Sequence, residues 1–579
     1  MKKSIILMCV LSLLLFNFSM AQRSNYYHVT DNNYNDIKIS YTVDVQNLQV
    51  KDIKTEQGTF CQISYDGMTP MRNDGKPALP VITNLLEIPL CEGMQVNVVN
   101  STYETYNLSE LGINHPIMPA QPQHPKSEDG PFPFVIDETT YASNSFYGMT
   151  LAQCEKVGML RNINLGNISI APFEYNPVTG QLSVCTQLDV EISFVNANIP
   201  KTMEMKTKHG NGLFDGQHCG VINPMNTAGF RDEIDNAPIK YLIVAHSMFR
   251  NNQDLTDFIN WKKRIGYLVE IAYTDDSNVG TTTTSIQNFI KSKYNNATAE
   301  NPAPTFVLLI GDVAQIPAFT GVSDNSHVTD LYYATWTTGD NIPDCYYGRF
   351  SAQNINHLTP QIEKTLMYEQ YTMPDPSYLD DAVLVAGTDG NYGPTHANGQ
   401  INYLSGNYVN TTYGFGTVHT HLYNCSSQAA TIRNEIGAGV GYANYTAHCS
   451  SSGWADPVFE NSHVSSMNNA NKYGIMIGNC CLSGKFDDNA CFGETLLRTA
   501  KKGAVIYLGA SNSTYWDQDY YWSVGVRSSI NANPTYDASH LGAYDRMFHT
   551  HNEAHSQWYT TAGGIVMAGD LAVQSSSSS

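Results

Sequence analysis

Three short stretches end in residue types that can do chemistry together. "YGIMIGNCC" closes on two adjacent thiols, Cys480 and Cys481; "VGYANYTAHC" closes on His448 and Cys449; "DAVLVAGTDG" carries a carboxylate, Asp389. Each begins as an apolar run of the kind that forms a buried strand. In open α/β sheets, reactive groups gather where the strands end. A thiol, an imidazole and a carboxylate delivered to one edge suit acyl transfer. A thiol attacks a carbonyl only as thiolate, and a neighbouring histidine lowers its pKa. Cys481 is the candidate nucleophile, His448 the candidate base and later acid, and Asp389 the group that orients His448. The N–H groups of Cys449 and Cys481 are candidates to face the developing oxyanion.

Blander readings of the same residues stand beside this one. A cysteine at a strand end is commonly a core residue, and a histidine after a strand commonly a structural one. A vicinal Cys480–Cys481 bridge is conceivable but strained, because unstrained bridges separate Cα atoms by about 4.4–6.8 Å. A His–Cys metal site is weaker still, since four convergent ligands are not evident.

The elements that must position these residues follow from the texture of the chain. From Ile239 onward, "IKYLIVAH", "YLVEIAYTD", "PTFVLLIGD" and "GAVIYLGAS" join the three stretches above as nearly continuous apolar runs. Amphipathic segments such as "NNQDLTDFINWKKRIG" and "TTTSIQNFIKSKYNN" separate them. Alternating buried strands and helices predict a doubly wound α/β domain with one largely parallel sheet over residues 232–572. Residues 22 to about 200 instead alternate polar and apolar residues, as in "YTVDVQNLQV" and "LSVCTQLDVEISFVN", which predicts an all-β domain. The Pro-rich stretch "PIMPAQPQHPKSEDGPFPFVID" reads as an exposed loop, and residues 200–236 as a linker. No internal repeat is evident. The closing "SSSSS", in a Ser-rich tail from residue 573, has no packing logic.

Composition narrows the partners. The 579 residues carry a formal net charge of −21, which argues against nucleic acid or anionic membrane as partner. "MKKSIILMCVLSLLLFNFSMAQ" has the charged start, apolar middle and small-residue end of a secretory leader over residues 1–21. No other apolar run reaches about 18 residues, so a soluble exported protein is expected. Of 12 cysteines, Cys9 leaves with that leader; the odd remainder implies at least one free thiol, and no pairing can be read from the spacing.

At these residues the sequence resembles a known family. "ANYTAHCSSSGWADP", "IGNCCLSGKF", "CFGETLLR" and "YWDQDYYWSVG" look like the catalytic domain of the gingipains, secreted bacterial cysteine peptidases of caspase-like fold, and most closely their lysine-specific type. The resemblance runs from about Ile239 to Ala572. The N-terminal part, with "DGKPALPVITNLLEIP", is similar to the family's inhibitory pro-domain.

The resemblance implies roles. Cys481 aligns with the nucleophile, His448 with the catalytic histidine and Asp389 with the third member; Cys480 would finish the strand as a small apolar residue. Asp519 matches the acid of the lysine pocket, with Trp516 as its wall and Thr446 and Asn479 as polar lining. "GNYGPTHANGQINYLSGNYVN" supplies no acid where the arginine-specific type has one, which favours lysine. Asp312, Asp340, Asp344 and the Ile342 carbonyl resemble a structural calcium site, a suitable set of hard oxygen ligands, with Thr338 standing where the family has a carboxylate. No catalytic metal is implied. Two departures stand out: Cys449 replaces the family's glycine after the histidine, and the family's downstream module is not seen.

The implied protein is a zymogen acting on protein or peptide substrates through a thioester. Residues 22 to about 231 would cap the site until cut near Arg231-Asp232, with Lys126 in the lysine pocket. Two competing readings are a sortase-like transpeptidase and a surface or adhesin protein on an inactive peptidase scaffold.

Overall fold

The computed structural model describes residues 26–576 apart from Asp129, Thr338 and residues 215–219, 226–237, 323–325 and 554–557. The leader and the cut near Arg231-Asp232 lie outside the described residues.

The N-terminal domain is all-β, as its alternating sequence predicts. One antiparallel sheet is built on the long strand Gln181–Val195, which pairs with Gly93–Asn107 on one side and Asp36–Thr42 on the other. A second sheet places Pro80–Ile88 against Ile163–Ile170, with Ala152–Leu160 outside it. Inward residues of both sheets, among them Ile37, Ile39, Tyr41, Leu86, Ile168 and Val190, share one core, the arrangement of a sandwich.

The C-terminal half differs from expectation in having two parallel sheets rather than one. In the first, β1 (Lys240–Ala245) lies between β2 (Leu268–Tyr273) and β3 (Pro304–Ile310), and β4 (Tyr346–Phe350) closes the far edge. Side chains alternate across such a strand. Leu242, Val244, Val307 and Leu309 face helix α1 (Thr283–Asn295) on one side. Ile243, Ala245, Leu308 and Ile310 face helices Gln253–Arg264 and α2 (Ile355–Gln370) on the other. Both faces are covered, which is why these runs read as uninterrupted apolar stretches.

The second sheet has the order β6 (Val418–His421), β5 (Ala382–Ala386), β7 (Tyr442–Thr446), β8 (Ile475–Asn479), β9 (Ile506–Gly509), all parallel. All five residues of β5 are fully buried. After β4 the chain leaves through α2 instead of adding a neighbouring strand, and this divides the sheet. A buried polar network joins the halves: Arg498, on helix α3 (Phe492–Arg498), reaches Asp312 at 2.9 Å and the Ser351 hydroxyl at 2.6 Å.

Three local expectations change. The predicted linker contains a helix, Ile199–His209; Pro200 sits in its first turn, where no amide donor is needed, and Asn198 caps it by accepting from Lys201 N–H. The Pro-rich loop is not simply exposed, because Lys126 on it is completely buried. The Ser-rich end is helical as far as Ser576, which is buried. Among the described residues no helix is long and apolar enough to cross a membrane.

The two domains meet through a second buried cation, Arg161, which sequence reasoning did not single out. Its guanidinium donates to the carbonyls of His209, Pro304 and Ala303 at 2.9, 2.7 and 3.1 Å, and its own N–H donates to Asp344 at 2.8 Å. Arg161→Met strands these carbonyls in a dry interface, at about 1–3 kcal/mol for each buried group left unpaired. We expect the full chain to lose about 3 kcal/mol of unfolding free energy in denaturant titration; a loss below about 0.5 kcal/mol would show the anchor to be idle.

Candidate active site

The parallel register levels the strand ends. Ala386 stands opposite Thr446, and Thr446 opposite Asn479. His448 and Cys481 each lie two residues beyond that line, and Asp389 three beyond it. Gly387 makes the approach possible, since a Cβ there would meet Ala447 Cβ and the Asp456 carbonyl, both at 2.6 Å. Past the nucleophile the chain turns sharply at Leu482, a left-handed residue with φ of 58°, whose N–H donates to the Asn512 carbonyl at 3.0 Å. A non-glycine residue held there costs on the order of 1 kcal/mol, offset by that hydrogen bond and the packing around it.

Asp389 and His448 come together as expected, Oδ2 to Nε2 at 2.8 Å. The other Asp389 oxygen accepts the N–H groups of Asn391 and Tyr392 at 2.8 and 2.6 Å. Burial opposes the ionisation of Asp389, but His448 and these two donors outweigh it and hold the carboxyl below its ordinary value. The Nδ1 of His448 meets the Lys126 carbonyl.

Cys481 is buried. Its Sγ lies 3.7 Å from the Thr514 carbonyl and accepts the Thr514 N–H at 3.2 Å. Burial pushes its pKa up, against the Thr514 contacts and the Lys126 charge. Cys481 is therefore a protonated thiol in this closed form.

Lys126 fills the predicted lysine pocket. Its ammonium has three donors, and three acceptors meet it: Asp519 Oδ2 at 2.6 Å, the Asn479 carbonyl at 2.9 Å and Thr446 Oγ1 at 3.2 Å. The Trp516 ring lies 4.7 Å from the nitrogen, within range of a cation–π contact. Asp519 and Trp516 both stand on helix α4 (Trp516–Val524). The Lys126 main chain runs antiparallel to Thr514-Tyr515 in an isolated bridge, with its N–H donating to the Thr514 carbonyl at 2.7 Å.

Asn479 lines the pocket through its carbonyl rather than its side chain. Its amide instead buttresses α4, donating to the Asp519 carbonyl at 3.0 Å and to Ser523 at 2.8 Å. Thr514, which also donates to Asp519 at 2.7 Å, had no signal in the sequence. Neither had Asp517, one residue into α4, which faces Gln123 of the N-terminal domain at 3.0 Å and His396 at 3.0 Å.

Two expectations fail. Cys480 is not a small apolar end to its strand and does not bridge to Cys481; it is disulfide-bonded to Cys449, with Cα atoms 5.4 Å apart. Cys449 therefore carries no free thiol beside the site. The residues of the expected calcium site have protein partners of their own. Asp312 is taken by Arg498 and by Gln353 at 2.7 Å. Asp340 accepts the Met159 N–H, and Asp344 those of Arg161 and Trp336, both at 2.8 Å. Burial lifts Asp344 to about 8. Among the described residues no three His, Cys, Asp or Glu side chains are placed to hold a metal.

A thiol-based acyl-transfer site closed over by the chain's own N-terminal domain is the design of a cysteine-peptidase precursor. Comparison with known proteins agrees. A family model described as peptidase family C25 matches residues 234–578, and one for the C25 propeptide matches residues 29–216. The chain belongs to peptidase family C25. It is 34% identical over 545 residues to Lys-gingipain of Porphyromonas gingivalis, a match covering 94% of this chain and 31% of that protein. It is 26% identical over 560 residues to gingipain R1 of the same organism, covering 93% and 51%. A solved structure described as "Structure of Protease" superposes with a TM-score of 0.53 at 38% identity, over 60% of this chain and 74% of that one. The chain thus spans about a third of the length of the Lys-gingipain it matches.

The depressed Asp389 pKa has a testable sign. A carboxyl lowered in the folded state stabilises the fold above its unfolded pKa, about 3.9, and that contribution is lost as pH falls through the folded value. Below about pH 4, melting temperature should therefore fall less steeply in Asp389→Asn than in the parent chain; parallel profiles would show that Asp389 is not ion-paired.

Proposed function

We propose that the chain is the precursor of a secreted cysteine endopeptidase that cuts after lysine, with residues 22 to about 231 as its inhibitory pro-domain. The observation that carries this reading is the Lys126 ammonium on Asp519 at 2.6 Å, with its carbonyl against His448. A lysine is presented as the residue before a scissile bond would be. The similarity to Lys-gingipain supports the same specificity.

In the open enzyme the Lys126 carbonyl has left His448, and the neutral ring, its Nε2–H held by Asp389, accepts the Cys481 proton at Nδ1. The thiolate then attacks the carbonyl carbon of a substrate lysine held by Asp519, Thr446 and Trp516. The N–H groups of Cys449 and Cys481 face the oxyanion, and His448 returns its proton to the leaving amine. Water, activated by the same histidine, hydrolyses the thioester. Asp389 keeps the ring oriented throughout.

Two chromogenic substrates, with lysine or arginine before the scissile bond, test this on protein cut near Arg231. Cleavage should be confined to lysine, and Cys481→Ala should abolish it. Asp519→Asn should lower kcat/KM by about 100-fold, since it leaves the substrate cation without its counter-charge. Arginine cleavage would overturn the pocket assignment, and transfer to an added amine instead of water would favour the transpeptidase.

Latency has its own test. Lys126→Ala in the uncut chain removes the pocket-filling cation and the contacts that depend on it. Activity before any cleavage is expected; a chain as silent as the parent would sink Lys126 as the inhibitory residue.

A further inference from the structure

The Cys449–Cys480 disulfide joins the residue after the histidine to the residue before the nucleophile. Building on the assignment of His448 and Cys481 above, we propose that this bond is the positioning device that sets base and nucleophile against each other. Proteolysis by this chain would then require the bond to be intact.

The argument starts from where the ladder stops. The last paired residues of β7 and β8 are Thr446 and Asn479. Beyond them the two turns take their backbone hydrogen bonds elsewhere. The His448 carbonyl accepts from Ala455, Leu482 N–H donates to Asn512, and Cys449 pairs with Trp454 in a hairpin. Among the described residues no backbone hydrogen bond joins residues 447–449 to 480–482. The two reactive side chains therefore sit on strand extensions that the sheet does not hold together, and the disulfide is the covalent tie between them.

Tolerance at such a site is small: a displacement of about 1 Å can cost on the order of 100-fold in rate. Without a bond between residues 449 and 480, the two turns would be unlinked and held by packing alone. Here Cys449 removes that freedom by bonding across the gap. The bridge is well sheltered, with Cys449 8% and Cys480 0% exposed. Tyr445, Trp454 and Phe492 pack in the same core cluster. Opening it takes two electrons. A dithiol reductant attacks one sulfur, the S–S bond breaks, the reductant closes to its cyclic disulfide, and two protons complete the thiols of Cys449 and Cys480. The same class of reagent is what keeps Cys481 reduced. Activity should thus rise with reductant while Cys481 is being freed, and fall once the sheltered bridge opens.

The experiment uses protein cut near Arg231 and a chromogenic lysine substrate. Free thiols are alkylated and located by mass spectrometry at each dithiothreitol concentration. We expect fully active enzyme to carry the bridge. Loss of kcat should track alkylation of Cys449 and Cys480, while KM stays within about twofold because Asp519 and Trp516 lie on α4. C449A/C480A should show the same split, with kcat down at least tenfold. Should that variant fail to fold, the reductant titration of the parent enzyme decides. Free thiols at both positions in fully active enzyme would overturn the inference. So would a variant or reduced enzyme within twofold of parental kcat, whatever its melting temperature. Either result leaves the peptidase reading standing. An enzyme inert with its bridge intact would instead remove that reading, and this inference with it.

Discussion

The register of β5, β7 and β8 is the constraint on which the site depends. Three strands that are distant in sequence end level, with Ala386, Thr446 and Asn479 in line. A one-residue slip in a strand turns every side chain to the opposite face. Such a slip at β8 would swing Cys481 away from the edge and place its neighbour there. Register is pinned by burial on both faces: β5 is fully buried, and β7 and β8 lie between layers that leave no second solution.

On that frame, charge is used sparingly and at depth. Lys126 and Arg161 both enter the interface from the N-terminal domain, and each is fully surrounded by oxygen acceptors. Lys126 faces a carboxylate; Arg161 faces chiefly main-chain carbonyls. Burying such groups is costly unless every donor is satisfied, so each contact is demanding in geometry. That demand gives the domain one docked orientation, in which a lysine reaches the pocket and its carbonyl reaches His448.

Much of the fold was legible because buried parallel strands leave long apolar runs and a half-buried sandwich leaves alternation. His448 and Asp389 meet, and Cys481 lies at the same sheet edge, because strand-end position is itself a sequence signal. What stayed hidden has physical reasons. The division into two sheets depends on where α2 leads the chain, a tertiary choice. The Cys449–Cys480 bridge joins residues 31 apart, and spacing carries no trace of the partner. The helix Ile199–His209 was masked by a proline that is harmless in a first turn. Asp340 and Asp344 carry the residue types of a cation site, yet the structure gives them to N–H groups, a preference no single sequence displays. Thr514 and Asp517 matter through main-chain and interface geometry that leaves no compositional mark.

The linker between the docked helix Ile199–His209 and β1 gives the inhibitory contact a property of scale. While the chain is continuous, the N-terminal domain faces its site at a fixed effective concentration, independent of how dilute the protein is. Once severed, the same contacts form a bimolecular complex whose occupancy falls on dilution. The Lys126 and Arg161 contacts lie outside the segment near Arg231 where the cut is proposed. Severing and release are then separate events, and the interval between them is set by volume and by degradation of the released domain rather than by the chemistry of the cut.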